Sequence, residues 1–551
     1  MKKQFFVFKI GMKVHFYVLH ISRISGNIRH ELRIKEDHVV SINLNSRYFK
    51  SLLASLLLSF CQIIVAGTPN EKEKNILHYG YAIASQDGFG FISNDNQNKL
   101  FLHGLYQFDQ DVFFNVKGLT INNGVESTEM INQENVDRFW MRRVRPIFNG
   151  TFLKYNDFLF TPDFGQGQAR LFDALIDLHY FEVFGLRAGK QKSLLTGFDR
   201  LRGAATNNTV ERGYATMMAP SREYGFVFYG AVGPKRKTTQ SPYNYKYNKF
   251  NDWFSYEVGV LTGTFDNTNP GLNPVTPTTF NSETATLANK VFEVRLFTNP
   301  FLSGSLPLLR NLGVGIAGST EEVNNQSNPP ALVSVGQNPI FFYEIDVHGN
   351  GPRKRLHPQA FWFLGPFGVF GEWTQTQQTL SKGLVFSNAD DLQFIAVTNH
   401  AAEIQVVYNL TQEPFTFGSL KPNRNFSPRE RGAWGAFQLV ARWSQLAMDN
   451  RIFNSFTTEE EQTNYTFADP RLSVQRANTW GVGINWFLNR NMVIMTEYDQ
   501  TNFVGGCSTG GINAPETPGC LTAGDYATAS TSKVRNRPNE RVIMQRFQLS
   551  F

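Results

Sequence analysis

Apolar residues recur at every second position over most of this chain, and that period restricts what it can fold into. In TWGVGINWFL, Trp480, Val482, Ile484, Trp486 and Leu488 alternate with Gly481, Gly483 and Asn485. AFQLVARWSQ sets Phe437, Leu439, Ala441 and Trp443 against Gln438, Arg442 and Ser444, and AEIQVVYNL sets Ile404, Val406, Tyr408 and Leu410 against Glu403, Gln405 and Asn409. VFEVRLF places Phe292, Val294 and Leu296 opposite Glu293 and Arg295, and RFQLSF repeats the pattern with Phe547, Leu549 and Phe551. Successive side chains of an extended strand point to opposite faces, so each run has one greasy and one polar side.

The runs are about nine to twelve residues long, the length a tilted strand needs to cross a bilayer. Roughly sixteen or seventeen can be counted from about residue 99 onward, and single-chain bacterial barrels favour even numbers. Aromatic residues make up 14% of the chain, with 50 Phe, yet mean hydropathy is −0.29. That combination requires apolar residues interleaved with polar ones. After the leader no apolar stretch of about twenty residues occurs, which excludes helical spans.

A soluble sandwich also alternates, but it turns its greasy faces into a dry core. The number of strands, the tryptophans near strand ends (Trp373, Trp443, Trp480, Trp486) and the charged opposite face favour a barrel whose outside meets lipid. The expected fold is therefore all-β, a transmembrane antiparallel up-and-down barrel over residues 99–551, preceded by a polar segment over 67–98. FLNRNMV and FLGPFGVF read as tight turns. The stretches 265–288, 412–433, 449–476 and 504–539, rich in Asn, Thr, Pro and Gly, read as long external loops.

The formal charge of +7 is confined to the start of the chain. Residues 1–66 carry 10 of the 53 Lys/Arg and 3 of the 46 Asp/Glu, so the remainder is balanced and offers no global field for nucleic acid. Arg47 and Lys50 precede the apolar run SLLASLLLSFCQIIVA, which closes on small residues. This describes a leader, a long basic region plus a signal peptide, cleaved near Ala66/Gly67. The bulky Phe60 before Cys61 argues against a lipoprotein. Cys507 and Cys520, in a Gly/Pro/Thr-rich segment of an exported chain, are expected to form one local disulfide. No His or further Cys lies beside them, so no metal or other cofactor is expected.

Several segments resemble, in order, the phosphate-selective porin O and P family: RFWMRRVRPIFNGTFLKYNDFLFTPDF, LFDALIDLHYFEVFGLRAGKQKSLLTGFDRL, VERGYATMMAPSREYGFVFYG, GAWGAFQLVARWSQLAM and TWGVGINWFLNRNMVIMTEYDQTNF. The resemblance implies a trimeric sixteen-stranded barrel in outer-membrane lipid, with a loop folded inward as a constriction. It also implies passive uptake of phosphate-class anions past inward Arg and Lys. Such groups replace part of the water shell an anion sheds on entering a narrow pore.

The candidate anion pathway is Arg142, Arg143, Arg145, Lys190, Lys192, Ser193, Arg200, Arg202 and Arg212. On a regular strand Arg143 and Arg145 face inward with Met141, while Arg142 and Trp140 face lipid; all three arginines share the lumen only if a bulge intervenes. Lys190 and Lys192 share one face. The resemblance places Ser193, Arg200, Arg202 and Arg212 on the constriction loop, where Asp199 and Glu211, with Asp173 and Asp177 upstream, neutralise part of the charge. GPRKRLHP (351–358) and PKRK (234–237) read as solvated basic turns. No HExxH or phosphate loop occurs, no enzyme is expected, and His103, His348 and His400 read as structural. Two other functions fit the same residues: a non-selective general porin, and a barrel adhesin or enzyme working through its long loops.

Overall fold

The computed structural model describes residues 18–24, 27–33, 39–41, 80–86, 88–114, 120–122, 125–127, 137–167, 169–235, 252–262, 290–302, 306–327, 331–344, 347–383, 392–457, 463–465, 467–507 and 536–551. The apolar run of the leader, the loop expected over 265–288 and Cys520 lie outside these residues. The chain divides into two units, Met1–Leu77 and His78–Phe551. In the first, Val18–Ile24, Asn27–Arg33 and Val39–Ser41 form a three-stranded antiparallel sheet.

In the second unit sixteen strands pair in sequence and the last pairs with the first, closing a barrel. They are β1 (Lys99–Phe114), β2 (Arg138–Phe152), β3 (Asn156–Asp163), β4 (Arg170–Leu178), β5 (Gly185–Lys192), β6 (Arg222–Lys235), β7 (Asp252–Leu261) and β8 (Val291–Thr298). The second half comprises β9 (Leu312–Ser327), β10 (Val347–Leu364), β11 (Phe367–Gly383), β12 (Leu392–Asn409), β13 (Ala436–Ala447), β14 (Val474–Phe487), β15 (Met492–Gly505) and β16 (Glu540–Ser550). Every pairing between them is antiparallel. Within the segment read as polar, a hairpin of Tyr81–Ser85 and Gly88–Ile92 adds to the start of β1.

The period-two pattern has the orientation a lipid exterior requires. On β8, Phe292 and Leu296 are exposed while Glu293 and Arg295 are buried; on β14, Val482 and Ile484 are exposed while Asn485 is buried. Trp443 faces out beside the buried Arg442 and Ser444 on β13. Charged groups inside and large apolar groups outside is the inverse of a water-soluble sandwich, and among the described residues no helix is long and apolar enough to cross a membrane.

Two expectations about the connections are corrected. The stretch 412–433 belongs to the end that carries the tight turns. Phe415 N–H donates to Gly365 O at 2.7 Å and Asn409 N–H to Pro366 O at 2.9 Å, tying it to the two-residue turn between β10 and β11. An up-and-down barrel alternates ends at each strand, and the connection after β12 falls on that end whatever its length. It turns into the lumen, where Phe415 and Phe417 join Phe198, Phe297, Phe361, Phe363 and Phe370 in one buried aromatic cluster. GPRKRLHP, in turn, is not a turn but the middle of β10, with Arg353, Arg355 and His357 buried on the inner side. A register shift between Gly349 and Arg353, with Gly351 at φ +116°, admits Pro352 to the strand.

Candidate functional site

The connection between β5 and β6, residues 193–221, folds into the barrel and crosses it, as the family resemblance implies. Its root is held on the β8 wall, where Ser193 Oγ and Leu194 N–H donate to the Glu293 carboxylate at 2.9 and 2.7 Å. Further along, Phe198 N–H donates to Glu372 of β11 at 2.9 Å and Tyr214 N–H to Ser444 Oγ of β13 at 2.9 Å. Val210 N–H reaches Glu497 of β15 at 2.6 Å, and Gln107 of β1 donates to Ala204 O at 3.1 Å. Wall side chains thus satisfy the backbone groups that a loop inside a barrel cannot pair with itself.

The arginine-rich strand β2 contains the bulge that would bring all three arginines inward. Gln107 pairs with Arg143 and Phe108 with Met141, which leaves Arg142 as the extra residue. Arg142 therefore points inward with Arg143 and Arg145, correcting the lipid-facing placement expected for a regular strand. Trp140 also faces inward, between the Arg138 and Arg142 guanidiniums at 4.6 and 4.9 Å, while Met141 is exposed on the outer face.

Most of these cations already have partners. Arg145 Nε lies 2.7 Å from Asp163 of β3, and Arg222 Nε, at the start of β6, lies 3.3 Å from Asp173 of β4. Arg142 donates to both oxygens of Glu211, at 2.5 and 3.0 Å, and Arg546 of β16 adds a third contact to Glu211 at 2.9 Å while also pairing with Asp109 at 2.6 Å. Arg143 donates to Gln107 at 2.6 Å and stands 3.8 Å from Glu211. Burial alone would raise the Glu211 carboxyl, but Arg142, Arg143 and Arg546 overcome it and hold it well below the usual carboxylate range.

The remaining candidates separate. Ser193 is spent on Glu293. Arg200 is a strap within the loop, its Nη1 donating to Thr196 Oγ1, Ala219 O and Pro220 O at 3.0, 3.1 and 2.7 Å. Arg202 lies over Phe370 at 4.9 Å and donates to Phe417 O, in the aromatic cluster; burial lowers its guanidinium to about 10, with Asp199 opposing. Lys190 lies over the Tyr224 ring at 5.1 Å, on the side that exposes Phe226 and Phe228. Lys192, at the end of the same strand, instead reaches the loop at Leu201 O, 3.3 Å away. The two lysines expected on one face are thus separated. Cys507 is disulfide-bonded.

Arg212 differs from all of these. Among the described residues it forms no ion pair, and its Nε is buried without a hydrogen-bond partner. After burial, the charges that act on it most are of its own sign: Arg143, Arg200, Arg222 and Arg145 lower its guanidinium well below the ordinary value, while the Asp199 carboxylate interacts with it from beyond ion-pair contact. Neither Arg222 nor Arg546 is among the residues expected on the anion pathway, although Arg546 sits on the polar side of the alternation in RFQLSF.

No curated protein matches the chain. Solved structures similar to it include in-vitro folded OmpT, an outer membrane protein of Vibrio cholerae, at 8% identity over 83% of this chain and 98% of that one, with a TM-score of 0.42. The outer membrane channel DcaP of Acinetobacter baumannii matches at 8% identity over 84% and 99%, with a TM-score of 0.44. An anion-selective porin from Comamonas acidovorans matches at 9% identity over 82% and 100%, with a TM-score of 0.40. A closed sixteen-stranded barrel with an apolar exterior is a multi-pass protein of the Gram-negative outer membrane. Residues 344–502 match the family model described as phosphate-selective porin O and P, the family that the sequence resembles.

Proposed function

We propose that the barrel is a passive, anion-preferring diffusion channel for phosphate-class anions. The observation that carries this reading is Arg212: a guanidinium on the constriction loop that, among the described residues, has no carboxylate in ion-pair contact and is acted on most by the like charges of Arg143, Arg200, Arg222 and Arg145. An anion arriving there finds fixed donors in place of its lost water, and like-charge strain among the arginines falls as it enters. The pairs Arg145–Asp163 and Arg222–Asp173 temper the field, which favours transit over retention. No covalent step or energy source is involved.

The same reading extends to export and assembly. Residues 1–66 act as a leader removed near Ala66/Gly67, and three barrels associate through the wall of β3, β4 and β5. Those strands have 8, 9 and 8 residues, at or below the span of about 9–11 that a bilayer requires, so contact with a second copy relieves the mismatch.

Planar-bilayer conductance of the purified protein in a salt gradient tests the channel reading. A chloride-side reversal potential, blocked by added phosphate and reduced in Arg212→Gln, is expected. An unchanged potential in Arg212→Gln removes the anion preference, and an absence of conductance removes the channel.

A further inference from the structure

Glu211 and Arg212 are adjacent on the constriction loop yet meet opposite surroundings. Among the described residues Arg212 has no carboxylate in ion-pair contact, whereas the Glu211 carboxylate receives Arg142 at 2.5 and 3.0 Å and Arg546 at 2.9 Å, with Arg143 at 3.8 Å. The carboxylate is almost fully buried. Its contact with Arg142 is a two-oxygen fork, the geometry in which a guanidinium receives a carboxylate or a phosphate.

Arg142 and Arg143 have no other ion pair among the described residues. Arg142 is otherwise hydrogen-bonded to Gln337 Oε1 at 3.1 Å and Arg143 to Gln107 Oε1 at 2.6 Å, both neutral amides. Among the described residues Glu211 is therefore the only carboxylate in ion-pair contact with these two arginines. Arg546 differs, because Asp109 holds it independently at 2.6 Å.

We propose that Glu211 is a built-in anion mimic: it fills an oxyanion site formed by Arg142, Arg143 and Arg546, and so confines the permeant anion to the Arg212 side of the loop. Glu211 is thus a specificity-determining residue that limits how strongly the channel holds its anion. The inference rests on the anion-channel reading. The loop does not depend on this carboxylate for its position. Arg442 Nη1 donates to Glu211 O at 2.6 Å, Arg546 Nη1 to Val210 O, and Glu497 accepts Val210 N–H at 2.6 Å, all through main-chain atoms.

The test uses Glu211→Gln in the full barrel. The vacated site should take inorganic phosphate, so phosphate should raise the melting temperature of the variant and leave that of the unaltered protein nearly unchanged. In bilayers the reversal potential of the variant should move further toward the anion side, and phosphate should block it at about tenfold lower concentration, the scale of one or two charge-assisted hydrogen bonds. A variant that matches the unaltered protein in both measurements, or moves toward cations, overturns the proposal.

Should Glu211→Gln fail to assemble, Arg142→Gln decides the matter. Because the permeant anion is confined to the Arg212 side, away from the site that Glu211 fills, loss of Arg142 should change the reversal potential far less than Arg212→Gln does. An equal change overturns the proposal. Absence of conductance in the unaltered protein would remove the channel reading instead, and the phosphate dependence of melting would still report on the oxyanion site.

Discussion

The ring of Phe551 fills the space that a side chain at Gly104 would need: a Cβ there would lie 2.5 Å from Phe551 Cζ. The backbones of the two residues are paired both ways, Gly104 N–H to Phe551 O at 2.9 Å and Phe551 N–H to Gly104 O at 3.0 Å. The ring stacks on Tyr106 at 6.3 Å and meets Phe89 of the N-terminal hairpin edge-on at 5.9 Å. This contact lies at the seam where β16 closes on β1. Phe551→Ala should cost about 1–2 kcal/mol, less than full burial of a phenylalanine because the ring is only half-buried. Gly104→Val should displace the ring and cost a similar amount. If the two act on one contact, the double variant is no worse than the poorer single one, as read by urea unfolding in lipid.

Asp199 should make the protein more stable in acid, against the usual trend. Burial first, and then Glu372, raises its carboxyl above the ordinary value, so the folded state favours the proton. A raised folded value means that this residue costs nothing below its unfolded value near 3.8 and penalises folding progressively as pH rises through the folded value. Asp199→Asn keeps an acceptor for Gln405 or for Gly213 N–H and removes the buried charge. The variant should match or exceed the unaltered protein in melting temperature at pH 7, with the advantage vanishing toward pH 4. Lower stability at pH 7 and a wider deficit in alkali would refute this.

The wall was legible in the sequence because a barrel repeats one local rule. Trp480, Val482 and Ile484 declare their face without reference to any neighbour, and the inner position of Arg143 follows from the same period. Local exceptions were not legible. One extra residue in β2 reverses Arg142 and Trp140, and nothing in RFWMRRVR marks which residue bulges, because the choice depends on β1 opposite. The same holds for 412–433: its composition is that of an exposed loop, but its end of the barrel depends on counting every strand before it. Charge balance was the least accessible property. Glu211 and Arg212 are neighbours in sequence, yet only the closed barrel brings Arg142, Arg143 and Arg546 onto one and, among the described residues, leaves the other without an acid in ion-pair contact.

Glu293 should control the steadiness of the constriction. Its carboxylate accepts from Ser193 Oγ and from Leu194 N–H, the first residues of the loop. Glu293→Ala would leave both donors buried and unpaired, a loss of about 1–3 kcal/mol each. The remaining anchors at Phe198, Val210 and Tyr214 keep the loop in the lumen, so the mean conductance should change little. Open-channel current noise should rise clearly. Noise equal to that of the unaltered channel would show that the root is held elsewhere.

The ion pair between Arg145 and Asp163 predicts a change of selectivity opposite in sign to the loss of Arg212. Asp163 pairs with Arg145 at 2.7 Å and also accepts Val144 N–H at 3.1 Å and Gly165 N–H at 2.9 Å, so it fixes both the guanidinium and the turn that follows β3. In Asp163→Asn the side-chain oxygen can keep one of the backbone contacts, but the negative charge is gone and Arg145 loses its ion-pair partner. Breaking a buried pair by removing one partner costs about 3–5 kcal/mol, and the bilayer-embedded variant should unfold at lower urea accordingly. The freed guanidinium adds one positive charge beside Arg212, so the reversal potential should move toward the anion side where Arg212→Gln moves it away. Combining the two substitutions should restore a potential near that of the unaltered channel, since one lost cation then offsets one lost anion. If Asp163→Asn instead weakens the anion preference, the passage does not run along the wall that carries Arg145.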